Sequence, residues 1–285
     1  MIEAGLILEG GATRGVFTSG ALDYLMEQDI YLSHVIGVSA GSCNAADYVS
    51  KQIGRTRDCM IHQGKEYSYY YGLKDFIKER SVLDMDMIFN KLPNELLPFD
   101  FDTYFASDIT CEIVTTNCLT GKAEYLTEEK DRDRLMKLCR ASSSMPLVCP
   151  IVNLDGVPYL DGGLSDSVPV RRARKLGLKK VVVILTRPKG YRKKPLSKAV
   201  GRLHRRLYSK YPNLVRTCLL RYRMYNSTME YIEHLEEKGE IFVMRPLVKP
   251  VSRLEKDYDT LQAFYDHGYS QMEHLLPQLQ EYLEK

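Results

Sequence analysis

Apolar residues fall along this chain in short runs that alternate with stretches of helical spacing. Residues 4–8 form an apolar run that stops at Glu9-Gly10-Gly11, as a buried strand does on entering a glycine turn. Over 15–27, Val16, Ala21, Leu22, Leu25 and Met26 recur at helical intervals. Val35-Ile36-Gly37-Val38 reads as a second strand, broken at Ser39-Ala40-Gly41, and 42–51 turns helical again. Strand–helix–strand–helix over the first fifty residues predicts a parallel sheet covered by helices, because parallel neighbours need a crossover between them.

Farther on the pattern is less regular. Residues 55–105 mix short helical stretches with Pro93, Pro98 and the tyrosine-rich stretch Tyr67 to Tyr71, and read as helical excursions above the sheet. Glu112 to Asn117 and Lys122 to Leu126 are strands joined through Thr120-Gly121, and 130–142 is helical. Pro150 to Leu154 and Val157 to Leu160 flank Asp155-Gly156, a two-residue hairpin signal. Lys180 to Thr186 and Ile241 to Arg245 are further core strands, and Pro188 to Lys194 is a basic loop between them. Helices follow over 197–237, interrupted near Pro212, and over 253–284. With no repeat and no dividing linker, the expectation is a single α/β domain over 1–285. Its motif core is 1–186, and a basic helical insertion with a C-terminal strand and helices fills 187–285.

Composition narrows the classes. In 285 residues, 44% hydrophobic content supports a sizeable core and argues against disorder. Seven cysteines without a Cys-x-x-Cys pair give no zinc ribbon and no disulfide framework, and read as reduced, mostly buried thiols. The N-terminus carries Glu3 and Glu9 and no basic leader, unlike a secretory signal, and the run Val181 to Leu185 is too short to span a bilayer. The expectation is a cytoplasmic protein.

Net charge is only +3, but it is unevenly spread. Arg171 to Arg223 holds 19 of the 40 Lys and Arg and no Asp or Glu, leaving 21 basic against 37 acidic residues elsewhere. Either this segment meets anionic partners, or acids from other segments neutralise it in space. Within it Leu203, Leu207, Tyr211, Leu214, Val215, Cys218, Leu219 and Tyr222 recur at roughly helical spacing among cations. That suits peripheral contact of 187–223 with an anionic membrane, and equally suits helices packed on the protein with their cations solvated. No nucleic-acid motif accompanies the charge, so no nucleic-acid partner is expected.

The candidate chemistry begins at Gly37-Val38-Ser39-Ala40-Gly41, a Gly-x-Ser-x-Gly turn between strand and helix. The sharp reversal strains the serine, and side chains at Gly37 and Gly41 would collide. The helix that follows favours negative charge at its N-terminus. Upstream, Gly10-Gly11-Ala12-Thr13-Arg14-Gly15 joins the first strand to the first helix, so its amides can converge on an anion. A nucleotide pyrophosphate is one such anion, but the dinucleotide fingerprint wants glycine where Ala12 stands, and Asp29 comes early for its acid. An oxyanion is the other, and donors there are worth roughly 3–4 kcal/mol of barrier. A hydroxyl needs a base. None of the six histidines lies in a compelling motif. Asp161-Gly162-Gly163 ends the hairpin strand, where it is either a turn aspartate or the partner of Ser39.

These blocks resemble, in order, those of the patatin-like phospholipases, specifically the bacterial branch: Gly10 to Gly15, Gly37 to Gly41, Arg140-Ala141-Ser142-Ser143-Ser144-Met145-Pro146, and Asp161-Gly162-Gly163. Val251 to Asp257 also looks like the C-terminal part of bacterial members, which extends the likeness over nearly the whole chain. The resemblance implies a three-layer α/β/α fold with a mostly parallel sheet. It also implies a Ser39–Asp161 dyad without histidine that hydrolyses acyl esters of lipids, and no metal or organic cofactor. The amides of Gly11 and Ala12, with Thr13 or Arg14, would form the oxyanion hole. Ala12 departs from a usual glycine, and at positive φ it would cost about 1 kcal/mol or more. A thioesterase, acyltransferase or peptidase on the same dyad, and a non-catalytic lipid-binding module, remain as rivals. Head group, acyl length and oligomeric state leave no trace in the sequence.

Overall fold

The first strand, β1 (Ile2–Leu8), lies inside a mixed sheet that has eight strands among the described residues. The computed structural model describes residues 1–62 and 83–285, and the stretch Tyr67 to Tyr71 lies outside the described residues. The other strands are β2 (Leu32–Val38), β3 (Thr110–Asn117), β4 (Ala123–Leu126), β5 (Val152–Leu154), β6 (Val157–Asp161), β7 (Val181–Ile184) and β8 (Phe242–Met244). Their order is β5-β6-β3-β2-β1-β7-β8, with β4 also on β3. The run β3-β2-β1-β7-β8 is parallel, and β4, β5 and β6 are antiparallel additions.

Central strands are apolar on both faces because helices cover both. Val182 and Ile184 join Leu6, Leu8 and Val35 in one core, with side chains from α1 (Gly15–Glu27), α2 (Ala40–Val49), α6 (Arg132–Ser142) and α10 (Tyr258–Glu284). Val181 and Val183 join Ile7, Ile36 and Val38 in the opposite core, against α7 (Val170–Lys175) and α9 (Pro212–Glu237). The result is the expected three-layer α/β/α arrangement. Helix α10 crosses α1 at backbone contact: a Cβ on Gly268 would stand 2.0 Å from the Phe17 carbonyl oxygen, and one on Gly20 2.2 Å from that of Tyr265. Beside this crossing, buried Asp23 accepts from the Gly54 amide at 2.9 Å and the Tyr265 hydroxyl at 2.7 Å.

The irregular stretch 55–105 contains α3 (Arg55–Met60), a π-helical segment α4 (Met87–Leu96) with Pro93 inside it, and α5 (Phe101–Phe105). Asp155 (φ 52°) and Gly156 (φ 81°) both take left-handed backbone, as a tight hairpin requires. The basic segment forms α8 (Lys198–Leu207) and α9, and Pro212 opens α9, where its missing N–H costs nothing. Helix α7 has no counterpart in the sequence reading, because six residues are too few for a periodic signal.

Candidate active site

The register of β3 brings the elbow and the hairpin aspartate together. Ile113 to Thr116 pair with β4 along one edge of β3. Val114 also pairs with Val38 of β2, and Thr115 with Asp161 of β6. Strands β2 and β6 therefore share the other edge of β3 and meet end to end. Where β2 would continue opposite Thr115, the chain instead turns out through Ser39, and Asp161 takes the vacated place.

Ser39 adopts φ 56°, ψ −126°, a conformation that costs about 1–3 kcal/mol and persists because its surroundings hold it. A Cβ on Gly37 would stand 2.5 Å from the Gly41 carbonyl oxygen, and one on Gly41 2.3 Å from that of Leu8, so both flanking positions exclude side chains. The Ser39 amide donates to Ser142 Oγ at 2.8 Å, and the Ser142 hydroxyl donates to the Val114 carbonyl at 2.7 Å. The Asp161 amide donates to the Ser144 carbonyl at 2.8 Å. The Arg140–Pro146 block thus fastens the nucleophile turn, β3 and the aspartate strand to one another.

Ser39 and Asp161 are 8% and 4% exposed. Burial pushes the Asp161 carboxyl above the ordinary carboxylate range. The Arg221 charge, hydrogen bonding from the Ser39 side chain and the Gly163 amide, and the Arg253 charge oppose that rise. The Gly163 amide donates to Asp161 Oδ1 at 2.7 Å. Asp161 thus combines a turn interaction with a place at the serine.

In the glycine loop, the amides of Thr13, Arg14 and Gly15 are engaged: Thr13 with the Arg253 carbonyl, Arg14 with Gly11, Gly15 with Ala12 and Thr13. Those of Gly10, Gly11 and Ala12 have no acceptor among the described residues, and these three residues line the cavity holding Ser39 and Asp161. Ala12 has φ 52°, the left-handed backbone at which alanine is disfavoured. The Thr13 hydroxyl donates to the Ser252 carbonyl at 2.8 Å and accepts from the Glu255 amide, which docks the 251–257 segment against the loop.

Two cavities meet at Ser39. One is mainly apolar, with Leu83, Met85, Ile88, Phe89, Leu92 and Phe99 in its lining. The other is polar and holds Ser39, Asp161, Glu9 and five cations: Arg14, Arg187, Lys193, Arg221 and Arg253. Buried Glu9 ties this wall together, accepting from the Thr186 amide at 2.8 Å and the Tyr225 hydroxyl at 3.0 Å. Sequence reasoning missed Glu9, Arg187, Lys193, Arg221 and Arg253 as site residues. The acid-free segment was the one signal, and its cations divide. Arg172, Arg174 and Arg192 pair with Glu112, Glu240 and Glu233 from other segments, whereas Arg187, Lys193 and Arg221 turn into the cavity. The apolar stripe divides likewise: Leu214, Val215 and Cys218 are core, while Leu203 and Leu207 are 42% and 59% exposed.

Among the described residues no cluster of three His, Cys, Asp or Glu could hold a metal ion, and no helix is long and apolar enough to cross a membrane.

Residues 6–174 match the family model described as patatin-like phospholipase, and 211–284 match a domain of unknown function, DUF6363. The uncharacterized protein YjjU of Escherichia coli is 31% identical over 192 residues, covering 64% of this chain and 52% of that protein. The lysophospholipase nte1 of Aspergillus terreus is 25% identical over 298 residues, covering 99% of this chain and 18% of that protein. The chain thus spans about half, or far less, of the length of the curated relatives it matches. Among solved structures, VipD from Legionella pneumophila aligns with a TM-score of 0.48 at 12% identity, over 98% of this chain and 67% of that one.

Proposed function

The chain belongs to the patatin-like phospholipase family, and on that premise we propose that it is a serine acyl hydrolase cleaving carboxylic esters of lipids, with Ser39 as nucleophile and Asp161 as base. The observation that carries this reading is the end-to-end meeting of β2 and β6 on β3, which sets a strained, cavity-lining serine beside a buried carboxylate. Asp161 takes the Ser39 proton as Oγ attacks the ester carbonyl. The amides of Gly10, Gly11 and Ala12 receive the oxyanion. The tetrahedral intermediate collapses to an acyl-serine, and the proton leaves with the alcohol. Water then adds to the acyl-serine, giving its proton to Asp161, and the fatty acid departs as Ser39 recovers its proton. The apolar cavity opening at Ser39 suits an acyl chain.

The name lysophospholipase borne by the fungal relative supports a lipid ester over a peptide. The intact loop, elbow and aspartate favour a catalyst over an idle lipid-binding module. Peripheral contact with anionic membrane belongs to the same proposal, supported by Leu203 and Leu207 standing exposed on a helix rich in Arg and Lys.

A fluorophosphonate probe is expected to label the wild-type chain and not Ser39→Ala. Asp161→Asn is expected to lose on the order of 10³-fold or more in hydrolysis across phospholipid, p-nitrophenyl ester and acyl-thioester substrates. Equal labelling of both proteins would remove Ser39 from the scheme, and a thioester turned over far faster than any oxygen ester would move the assignment to a thioesterase.

A further inference from the structure

The polar cavity holds more positive charge than the dyad chemistry uses. Its five cations face only two carboxylates in the lining, Glu9 and Asp161, an excess of three charges. None of the five forms an ion pair with a carboxylate of the described residues. Arg14 is 3% exposed, and its Nε has no hydrogen-bond partner among the described residues. Two of the five have fixed supports: Arg221 Nε donates to the Gly163 carbonyl at 2.5 Å, and Asn226 brackets the Lys193 backbone, accepting from its amide at 2.8 Å and donating to its carbonyl at 3.1 Å. Crowding and burial tell on them. Burial, then the charges of Arg187 and Arg253, bring Arg14 down to about 10, and burial with Arg221 holds Lys193 well below its ordinary value. Such a cluster is relieved by an anion.

Its position says which part of a substrate that anion belongs to. With the ester carbonyl at Ser39 and the acyl chain in the apolar cavity, the cationic cavity lies on the side of the departing alcohol. Among the described residues no aromatic ring lines this cavity, and the ring faces beneath two of its cations are already taken. Lys193 Nζ lies 3.1 Å from the centre of the Tyr225 ring and Arg187 4.3 Å from that of Tyr191. A quaternary ammonium would find those two faces covered and five cations repelling it.

We propose that the substrate is an acyl ester of glycerol phosphate, whose phosphomonoester dianion rests on Arg14, Arg187, Lys193, Arg221 and Arg253 while hydrolysis releases the fatty acid and the phosphorylated alcohol. This rests on the acyl-hydrolase reading above. The arrangement selects against choline phosphodiesters, which carry one negative charge and one positive, and against uncharged acylglycerols.

The test compares three esters of one acyl chain, presented to the chain of residues 1–285 in micelles of neutral detergent: 1-acylglycerol 3-phosphate, its choline phosphodiester, and 1-acylglycerol. The phosphomonoester is expected to exceed the other two by about 100-fold in kcat/KM. Lys193→Gln and Arg187→Gln are each expected to shrink that preference about tenfold, chiefly through KM, since neither residue is among the largest influences on Asp161. With p-nitrophenyl butyrate as substrate, glycerol 3-phosphate is expected to compete at least about tenfold better than inorganic phosphate, and glycerol not at all. Equal kcat/KM for the three lipids overturns the head-group assignment and leaves the hydrolase standing. So does a preference that both variants retain in full. Inorganic phosphate competing as well as glycerol 3-phosphate, with no lipid preference, marks a site for free phosphate and also overturns it. No turnover of any ester, p-nitrophenyl butyrate included, brings down the hydrolase reading and this one together.

Discussion

Two side chains at the site are held away from their comfortable states, and each carries a measurable consequence. Ala12 sits at φ 52° in the glycine loop. Ala12→Gly removes that left-handed penalty, partly offset by the greater freedom of glycine in the unfolded chain, for a net gain of up to about 1 kcal/mol. Calorimetry is expected to show a melting temperature higher by up to about 2 °C. A lower one would mean that the alanine methyl packs well enough to justify its backbone. As the proposed base Asp161 must be ionised, so its raised pKa is expected to set the acid limb of activity above the ordinary carboxylate range. Arg221 is the strongest influence opposing that rise. Arg221→Met is therefore expected to move the acid limb of kcat/KM for p-nitrophenyl butyrate to higher pH. A limb that stays put or moves down would separate Arg221 from the base.

At the scale of elements, the contact of α1 with α10 and α3 turns on one buried acid. Burial raises Asp23 to about 6 against the restraint of its Gly54 and Tyr265 hydrogen bonds. The folded chain then holds the Asp23 proton more tightly than the unfolded chain, whose aspartates titrate near pH ~4. This contribution is most favourable below about pH 4, falls as pH rises towards about 6, and stays lost above that, by on the order of 3 kcal/mol. Asp23→Asn keeps an acceptor for Gly54 and has nothing to ionise. The unfolding free energy of the variant relative to wild type, from urea titrations, is expected to rise across that window, and a flat difference would show that Asp23 does not titrate there. The elements themselves were largely legible beforehand. The helix over 15–27, the hairpin around Asp155-Gly156 and the break at Pro212 follow from periodicity and backbone preference, which are local. The π-helical turn around Pro93 and the short α7 were not, because their residues obey packing rather than a repeat.

Over the whole molecule, charge and apolar surface are sorted by depth. In the acid-free segment Arg172, Arg174 and Arg192 pair with distant acids, Arg187, Lys193 and Arg221 enter the site, and the arginines of α8 remain with Leu203 and Leu207 at the surface. If this surface docks on lipid, Leu203→Ser with Leu207→Ser is expected to weaken sedimentation with anionic vesicles about tenfold or more, and added salt to weaken it further. Equal binding of wild type to neutral and anionic vesicles would defeat the membrane proposal.

What the residue order determined by itself is everything whose cause lies within a few positions: the alternation of strand and helix, the collision with the turn that demands Gly37, the glycine loop, and the four motif blocks in sequence. Asp161 could be read as a partner of Ser39 only through the family resemblance, since Asp-Gly is also an ordinary turn. What the tertiary structure decided is how distant pieces meet: β2 and β6 ending against each other on one edge of β3, Ser142 tying the elbow to that strand, and Arg187, Lys193, Arg221 and Arg253 facing inward around Glu9. Strand register and the inward or outward turn of a cation depend on residues tens to hundreds of positions away, and such a dependence leaves no local pattern to read.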